Sequence, residues 1–318
     1  MVRVTLDIFS GRPNPSWVLD EREAREVLRQ VAAAREAVTP ADQDRGVLGF
    51  RGLVIESDEG GPAAGLELPA SFRIASGQSG AEGKGLELAE RLISRMGRVF
   101  PASGAPSAEG AFADLDLRSL ALGELRSAPT TSGGEAGTLS EAAPGDATAQ
   151  AGATVIGTDA SSWTTLTVGS CSYEASAFNP NFWNAVRTVM RNNNCYNYAS
   201  NRRTDTFAQP GRATGAQASV MACSNVTAGA VSDGAVQAST CVGSGSPRHY
   251  MALVIWPGTD YHWYRRHSDG FWGHKPGQTA ARNYDNSNNV IYDPQTANRG
   301  GYTSFCGYFF GPSGMQVL

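Results

Sequence analysis

Asn192-Asn193-Asn194-Cys195-Tyr196-Asn197-Tyr198-Ala199 is the stretch on which the reading of this chain turns. Consecutive asparagines favour caps and left-handed turns, so they end a helix predicted over 181–192, and Cys195 begins the next one. A thiol at a helix start feels the positive end of the helix, and downstream imidazoles supply a base. Both lower its pKa, which is what a thiolate nucleophile needs. His249–Trp256 follows as an apolar run of strong β character, Pro257–Asp260 as a turn, and Tyr261–His267 as a second strand. Ser268-Asp269-Gly270 then turns the chain into a third strand, Phe271–His274. A helix followed by an antiparallel meander reads as an α+β core.

Upstream of this core, residues 127–160 contain no aromatic residue and consist of Ala, Gly, Ser, Thr, Pro and acids with a few aliphatic residues and one Gln. Such a stretch cannot bury enough apolar surface to offset its backbone entropy, so it reads as a flexible linker. It divides the 318 residues into an N-terminal module, 1–126, and a C-terminal domain, 161–318, which holds 22 of the 28 aromatic residues. The N-terminal module reads as a small α+β unit. Val2–Phe9 alternates as a strand, Asp20 with Glu23 makes a capping box for a helix to about Val38, and 85–99 has helical spacing. Strands near 50–56 and 71–75 complete its sheet. It contains no Cys, no His and no phosphate loop, and its role is open, with binding of another protein as one option. The turn Ser10-Gly11-Arg12-Pro13-Asn14-Pro15 reads as an exposed, rigid turn, with binding as the alternative.

The net charge of −4 divides unevenly, with −4 on residues 1–126, −4 on 127–160 and +4 on 161–318. That positive balance is too weak and scattered for a nucleic-acid surface. No run approaches membrane-spanning length, and the N-terminus lacks the basic and apolar regions of a signal peptide. Five cysteines divide into two pairs and one thiol. The expected bridges are Cys223–Cys241 and Cys171–Cys306 with Cys195 left over, and an intracellular chain with all five reduced is the alternative. The bridges point to an extracytoplasmic location.

The Cys helix followed by His249-Tyr250-Met251-Ala252-Leu253-Val254-Ile255 resembles the papain-like fold, especially the NlpC/P60 and CHAP cell-wall peptidases and amidases. The intervals of 54 residues from Cys195 to His249 and 13 from His249 to His262 suit the NlpC/P60 order of Cys, His, His. The resemblance implies that Cys195 is the nucleophile, His249 the general base and His262 its orienting partner. It further implies an amide bond cleaved through a thioester, a peptide or cell-wall peptide substrate, and no cofactor. It covers about 120 residues, and the family's Asp-Cys-Ser-Gly string is replaced here by Asn-Cys-Tyr-Asn. Asp260–Arg265 and His274–Gly277 also resemble a bacterial family of unassigned function.

Strand geometry opens a rival site. With the turn at Pro257–Asp260, the residue opposite His249 falls near His267 or Ser268, while His262 and His274 share one face at diagonal spacing. The alternative without catalysis is a binding module for peptide or carbohydrate, its groove lined by Trp256, Tyr261, Trp263, Tyr264, Phe271 and Trp272. A zinc site built on Cys195 and histidines lacks any CxxC or HxxxH spacing, so no metal is expected. Asp285–Asp293 resembles a cation loop only loosely, and reads as a polar turn.

Overall fold

The fold comes from a computed structural model, which describes all residues except 42–45, 59, 76–81, 103–111, 128–156, 160–161 and 242–247. Most of the expected linker lies outside the described residues. The chain forms two compact units of mixed helix and antiparallel sheet. One comprises Met1–Ile8, Pro13–Arg45 and Gly49–Leu139; the other comprises Phe9–Arg12, Gly46–Leu48 and Ser140–Leu318.

In the N-terminal unit, β1 (Val2–Asp7) pairs with β2 (Pro15–Leu19) and β4 (Gly52–Ser57). β3 (Val38–Pro40), β5 (Ser71–Ile74) and β6 (Phe100–Pro101) complete a sheet in the order β3-β5-β4-β1-β2-β6. Helix α1 (Glu21–Ala33) starts where the capping box requires. The Asp20 side chain accepts from the Glu23 N–H at 2.8 Å, and the Glu23 carboxylate accepts from the Asp20 N–H. Ala24, Val27, Leu28 and Val31 recur at three- and four-residue spacing and are buried, which sets the face α1 turns inward. Helix α2 (Glu82–Ser94) buries Leu88, Ala89, Leu92 and Ile93 in the same way, and α3 (Leu117–Ser127) packs on it.

The same unit holds a buried ionic centre. Asp7 accepts from Arg51 at 2.6 and 3.0 Å, from Arg73 at 2.6 Å and from Asn14 Nδ2 at 2.9 Å. Asn14 Oδ1 in turn accepts from the Ile8 N–H. Asn14 therefore tightens the chain as it leaves β1, a role beyond that of a turn former.

The C-terminal unit starts with a hairpin, β7 (Thr164–Val168) and β8 (Cys171–Ala175). The helix expected over 181–192 is two short ones, α4 (Asn181–Asn184) and α5 (Arg187–Asn192). They are separated because Val186 is extended, at φ −119° and ψ 123°. Then come α6 (Cys195–Ala199), α7 (Cys223–Ser232), β9 (Val236–Gln237), β10 (His249–Trp256), β11 (Asp260–Arg266), β12 (Trp272–His274) and β13 (Ser304–Gly311). The five strands lie in the order β12-β11-β10-β13-β9. One face of this sheet carries Met251, Leu253, Ile255, Tyr261 and Trp263 against α6 and α7. The other carries Ala252, Val254, Tyr264 and Phe310, and packs against Tyr302 and against Tyr173 and Ala175 of β8.

The disulfides are Cys171–Cys241 and Cys223–Cys306, not the pairs expected from the sequence. Proximity along the chain misled at Cys223–Cys241, and position near the two domain ends misled at Cys171–Cys306, because neither takes account of the sheet. Helix α7 packs on β13, so Cys223 meets Cys306, while β9 pairs with β13 and brings the chain just beyond it to Cys171. Cys195 stays free. Two such bonds place the chain in an oxidising environment.

The bridges span 70 and 83 residues, and each is expected to contribute roughly 2–4 kcal/mol. Urea unfolding of serine variants checks both strength and pairing. Cys171→Ser/Cys241→Ser should lose no more than either single variant, whereas Cys223→Ser/Cys241→Ser should lose about twice as much.

Candidate functional site

The start of α6 is built from asparagines whose side chains replace missing backbone partners. Asn194 is the N-cap: its Oδ1 accepts from the N–H groups of Tyr196 and Asn197, at 3.0 and 3.2 Å. Asn197 returns the contact by accepting from the Asn194 N–H, and Asn193 Oδ1 accepts from the N–H groups of Thr204 and Asp205. The three-asparagine run thus ends α5 and starts α6, as its composition requires. Lys275 is buried below, its Nζ donating to the carbonyls of Met190, Asn193 and Gly277.

Residues Phe9–Arg12 sit against this helix start. The Asp260 carboxylate accepts from three successive N–H groups, Ser10 at 2.6 Å, Gly11 at 3.1 Å and Arg12 at 2.8 Å, and from Tyr302 OH at 2.5 Å. The Gly11 carbonyl accepts from Asn194 Nδ2 at 2.9 Å, Gln209 Nε2 at 2.9 Å and Tyr261 OH at 3.1 Å. Three donors thus meet one peptide oxygen and three peptide N–H groups meet one carboxylate, the geometry of a backbone nest. Ser10 is fully buried and Arg12 nearly so, which corrects the expectation of an exposed turn. The sequence signal was the Ser-Gly-Arg string itself. Its partners Asp260, Gln209, Tyr261 and Tyr302 carry no local signature.

Cys195 is fully buried among Tyr196, Trp263, Leu253 and Tyr261. Burial pushes its thiol pKa well up, and the Asp260 charge adds to this; the Trp263 N–H and the Lys275 charge oppose it without prevailing. The lowering expected from a helix start is therefore reversed by desolvation.

The histidines lie elsewhere. His249 shares the face of Met251, Leu253 and Ile255. However, Leu253 is the residue opposite Trp263, and His249 is four positions beyond it, roughly 13 Å along the strand. There its ring lies 5.0 Å from that of Trp163. Burial, aided by the Arg265 charge, lowers its pKa to about 3.

His262 is on the opposite face of the sheet from Tyr261 and Trp263, with its ring against Tyr264, Tyr302 and His274. His274 Nε2 lies 2.9 Å from the Tyr284 carbonyl and so carries a proton, which leaves its Nδ1 to accept from His262 Nε2 at 2.8 Å. His267 Nδ1 likewise donates to the Ser176 carbonyl, and its Nε2 accepts from Tyr198 OH at 2.6 Å. Arg265 lies over the Tyr198 ring and 3.8 Å from Asp159. The structure thus brings His262 to His274 and His267 to Tyr198, but it does not bring Cys195, His249 and His262 together.

The Asp285–Asp293 loop is tied by its own backbone, since Asp285 accepts from the N–H groups of Ser287, Asn289 and Asn298. Among the described residues, no group of three or more His, Cys, Asp or Glu side chains could hold a metal ion. No described helix is long and apolar enough to cross a membrane. The N-terminal unit has a cavity of about 320 Å³ lined by Val31, Ala34, Ile74 and Leu88. At its rim Arg91 is engaged by Glu26 and Gln30, and Lys84 by Glu36.

No family model matches the chain, and no solved structure matches it. Insoluble matrix shell protein 1 of Ruditapes philippinarum is 44% identical over 140 residues, which is 42% of this chain and 88% of that protein. The chain belongs to the family of that shell-matrix protein.

Proposed function

We propose that the chain is an extracytoplasmic matrix protein whose C-terminal unit acts by binding rather than by catalysis. The carrying observation is the setting of Cys195: fully buried in an apolar cluster, its pKa raised, with His249 about four strand positions away and His262 across the sheet. A nucleophile needs an accessible thiolate and a base within hydrogen-bond reach. The relationship to an insoluble matrix shell protein agrees with a structural role, and two long-range disulfides suit a protein working outside the cell.

The decisive experiment is alkylation of the native protein with iodoacetamide at neutral pH, read by mass spectrometry. Cys195 should remain unmodified until denaturant is added. Rapid labelling of the native chain would defeat this reading.

A papain-like cysteine hydrolase is the second reading, favoured by one observation. Asn194, Gln209 and Tyr261 converge three donors on a peptide oxygen beside α6, the kind of donor set that stabilises an oxyanion. It requires rearrangement to bring His249, with His262 as its orienting partner, to Cys195. Labelling of Cys195 that disappears in His249→Ala would support it.

A further inference from the structure

We infer that the cradle formed by Asp260, Asn194, Gln209, Tyr261 and Tyr302 is a peptide-binding site for a bent Ser-Gly-Arg segment, occupied here by the chain's own residues 9–12. This deepens the binding reading above by naming its site and ligand class.

Four features carry it. Recognition is directed mainly at main chain: Asp260 takes the three successive N–H groups, three side-chain donors take the Gly11 carbonyl, and the Gly277 N–H donates to the Ser10 carbonyl at 3.0 Å. These are the contacts a peptide makes whichever polypeptide carries it. The middle position is read by shape, because a Cβ on Gly11 would lie 2.5 Å from both the Tyr261 ring and the Tyr261 carbonyl oxygen. The flanking positions are read by side chains. Ser10 Oγ reaches Asp260 at 3.2 Å and lies 2.8 Å from Tyr302 OH, and Arg12 donates to the Thr259 carbonyl at 3.1 Å. Finally, Phe9–Arg12 belongs to the C-terminal unit although it lies in sequence between β1 and β2, so it enters that unit as a short insert, not as one of its strands or helices.

A bound segment opens on its own, whereas an integral part of the core opens only when the whole unit unfolds. For the cradle to survive empty, Asp260 must take water in place of these amides. The ligand is then any accessible chain that can present Ser-Gly-Arg in this bend.

Two measurements on the full chain test this. In native-state hydrogen exchange, the Ser10, Gly11 and Arg12 amides should exchange at least about 100-fold faster than those of Leu253 and Val254, by local opening. In Gly11→Val, whose side chain cannot fit against Tyr261, acetyl-Phe-Ser-Gly-Arg-Pro-amide should bind by fluorescence polarisation, while the wild-type chain should not bind it. The same peptide with Ala for Gly should bind at least about tenfold more weakly. Exchange of the three amides only together with β10, global unfolding of Gly11→Val, or failure of the folded variant to bind the peptide would each overturn the inference. Unlabelled Cys195 with no peptide binding would remove this site and leave the non-catalytic reading standing.

Discussion

At pH 5 the C-terminal unit is expected to be about 4 kcal/mol less stable than at pH 7, because two buried histidines must be neutral in the fold. Burial is the main cause in both cases. It lowers His249 and His274 to about 3, helped by Arg265 at the first and by Arg282 at the second. Protons are taken up by the unfolded chain from about pH 6.5 downwards, while the folded chain accepts them only near pH 3. The stabilisation is therefore complete above pH 6.5 and is lost as the pH falls. Each ring contributes a slope of about 1.4 kcal/mol per pH unit across that window. His267 is also lowered by burial and acts in the same direction.

The hydrogen bonds explain why charging is resisted at His274. Its Nδ1 accepts from His262, so a proton there would set donor against donor. Urea unfolding at pH 7, 6 and 5 measures the effect, and His274→Gln should remove about half of the slope. Stability that stays level from pH 7 to pH 5 would refute the assignment.

Asp7→Asn should cost the N-terminal unit about 3–5 kcal/mol, since the near-isosteric amide leaves two buried guanidinium groups without their anion. Burial alone pushes the Asp7 carboxyl up, but the Arg51 and Arg73 charges and their hydrogen bonds outweigh it and hold it well below the usual carboxylate range. Its contribution is therefore complete above about pH 4, where an unfolded aspartate is ionised, and is lost only in stronger acid. The two pH effects separate cleanly: histidine loss precedes Asp7 loss as acid is added. A variant within about 1 kcal/mol of wild type in urea unfolding would show that the pair of arginines is solvated or otherwise satisfied.

Local chemistry announced many of the elements. The Asp20–Glu23 capping box, the three asparagines before Cys195, and the strand at His249–Trp256 were readable because caps and strand periodicity depend on neighbours only a few residues away. The expected offset of His249 towards His267 follows from the turn, and the observed pairing of Met251 with Arg265 agrees with it. Less legible were β8, α7 and β13. Each draws its stability from tertiary packing, and β13 must be recruited between β10 and β9 from far along the chain.

The functional region shows the same division more sharply. The residue types were plain from the sequence: a thiol opening a helix, four imidazoles, a Ser-Gly-Arg turn, and five cysteines that could leave one unpaired. Composition and short-range spacing determined the α+β character, the start of α6 and the presence of a candidate thiol. Only the tertiary structure decided which groups meet. Alternation along β11 sends His262 away from Cys195, helix packing joins Cys223 to Cys306, and Ser10–Arg12 closes over an aspartate about 250 positions away. Caps and periodicity are local energies written into adjacent residues, whereas partners across a sheet are chosen by the burial and hydrogen bonding of the whole unit.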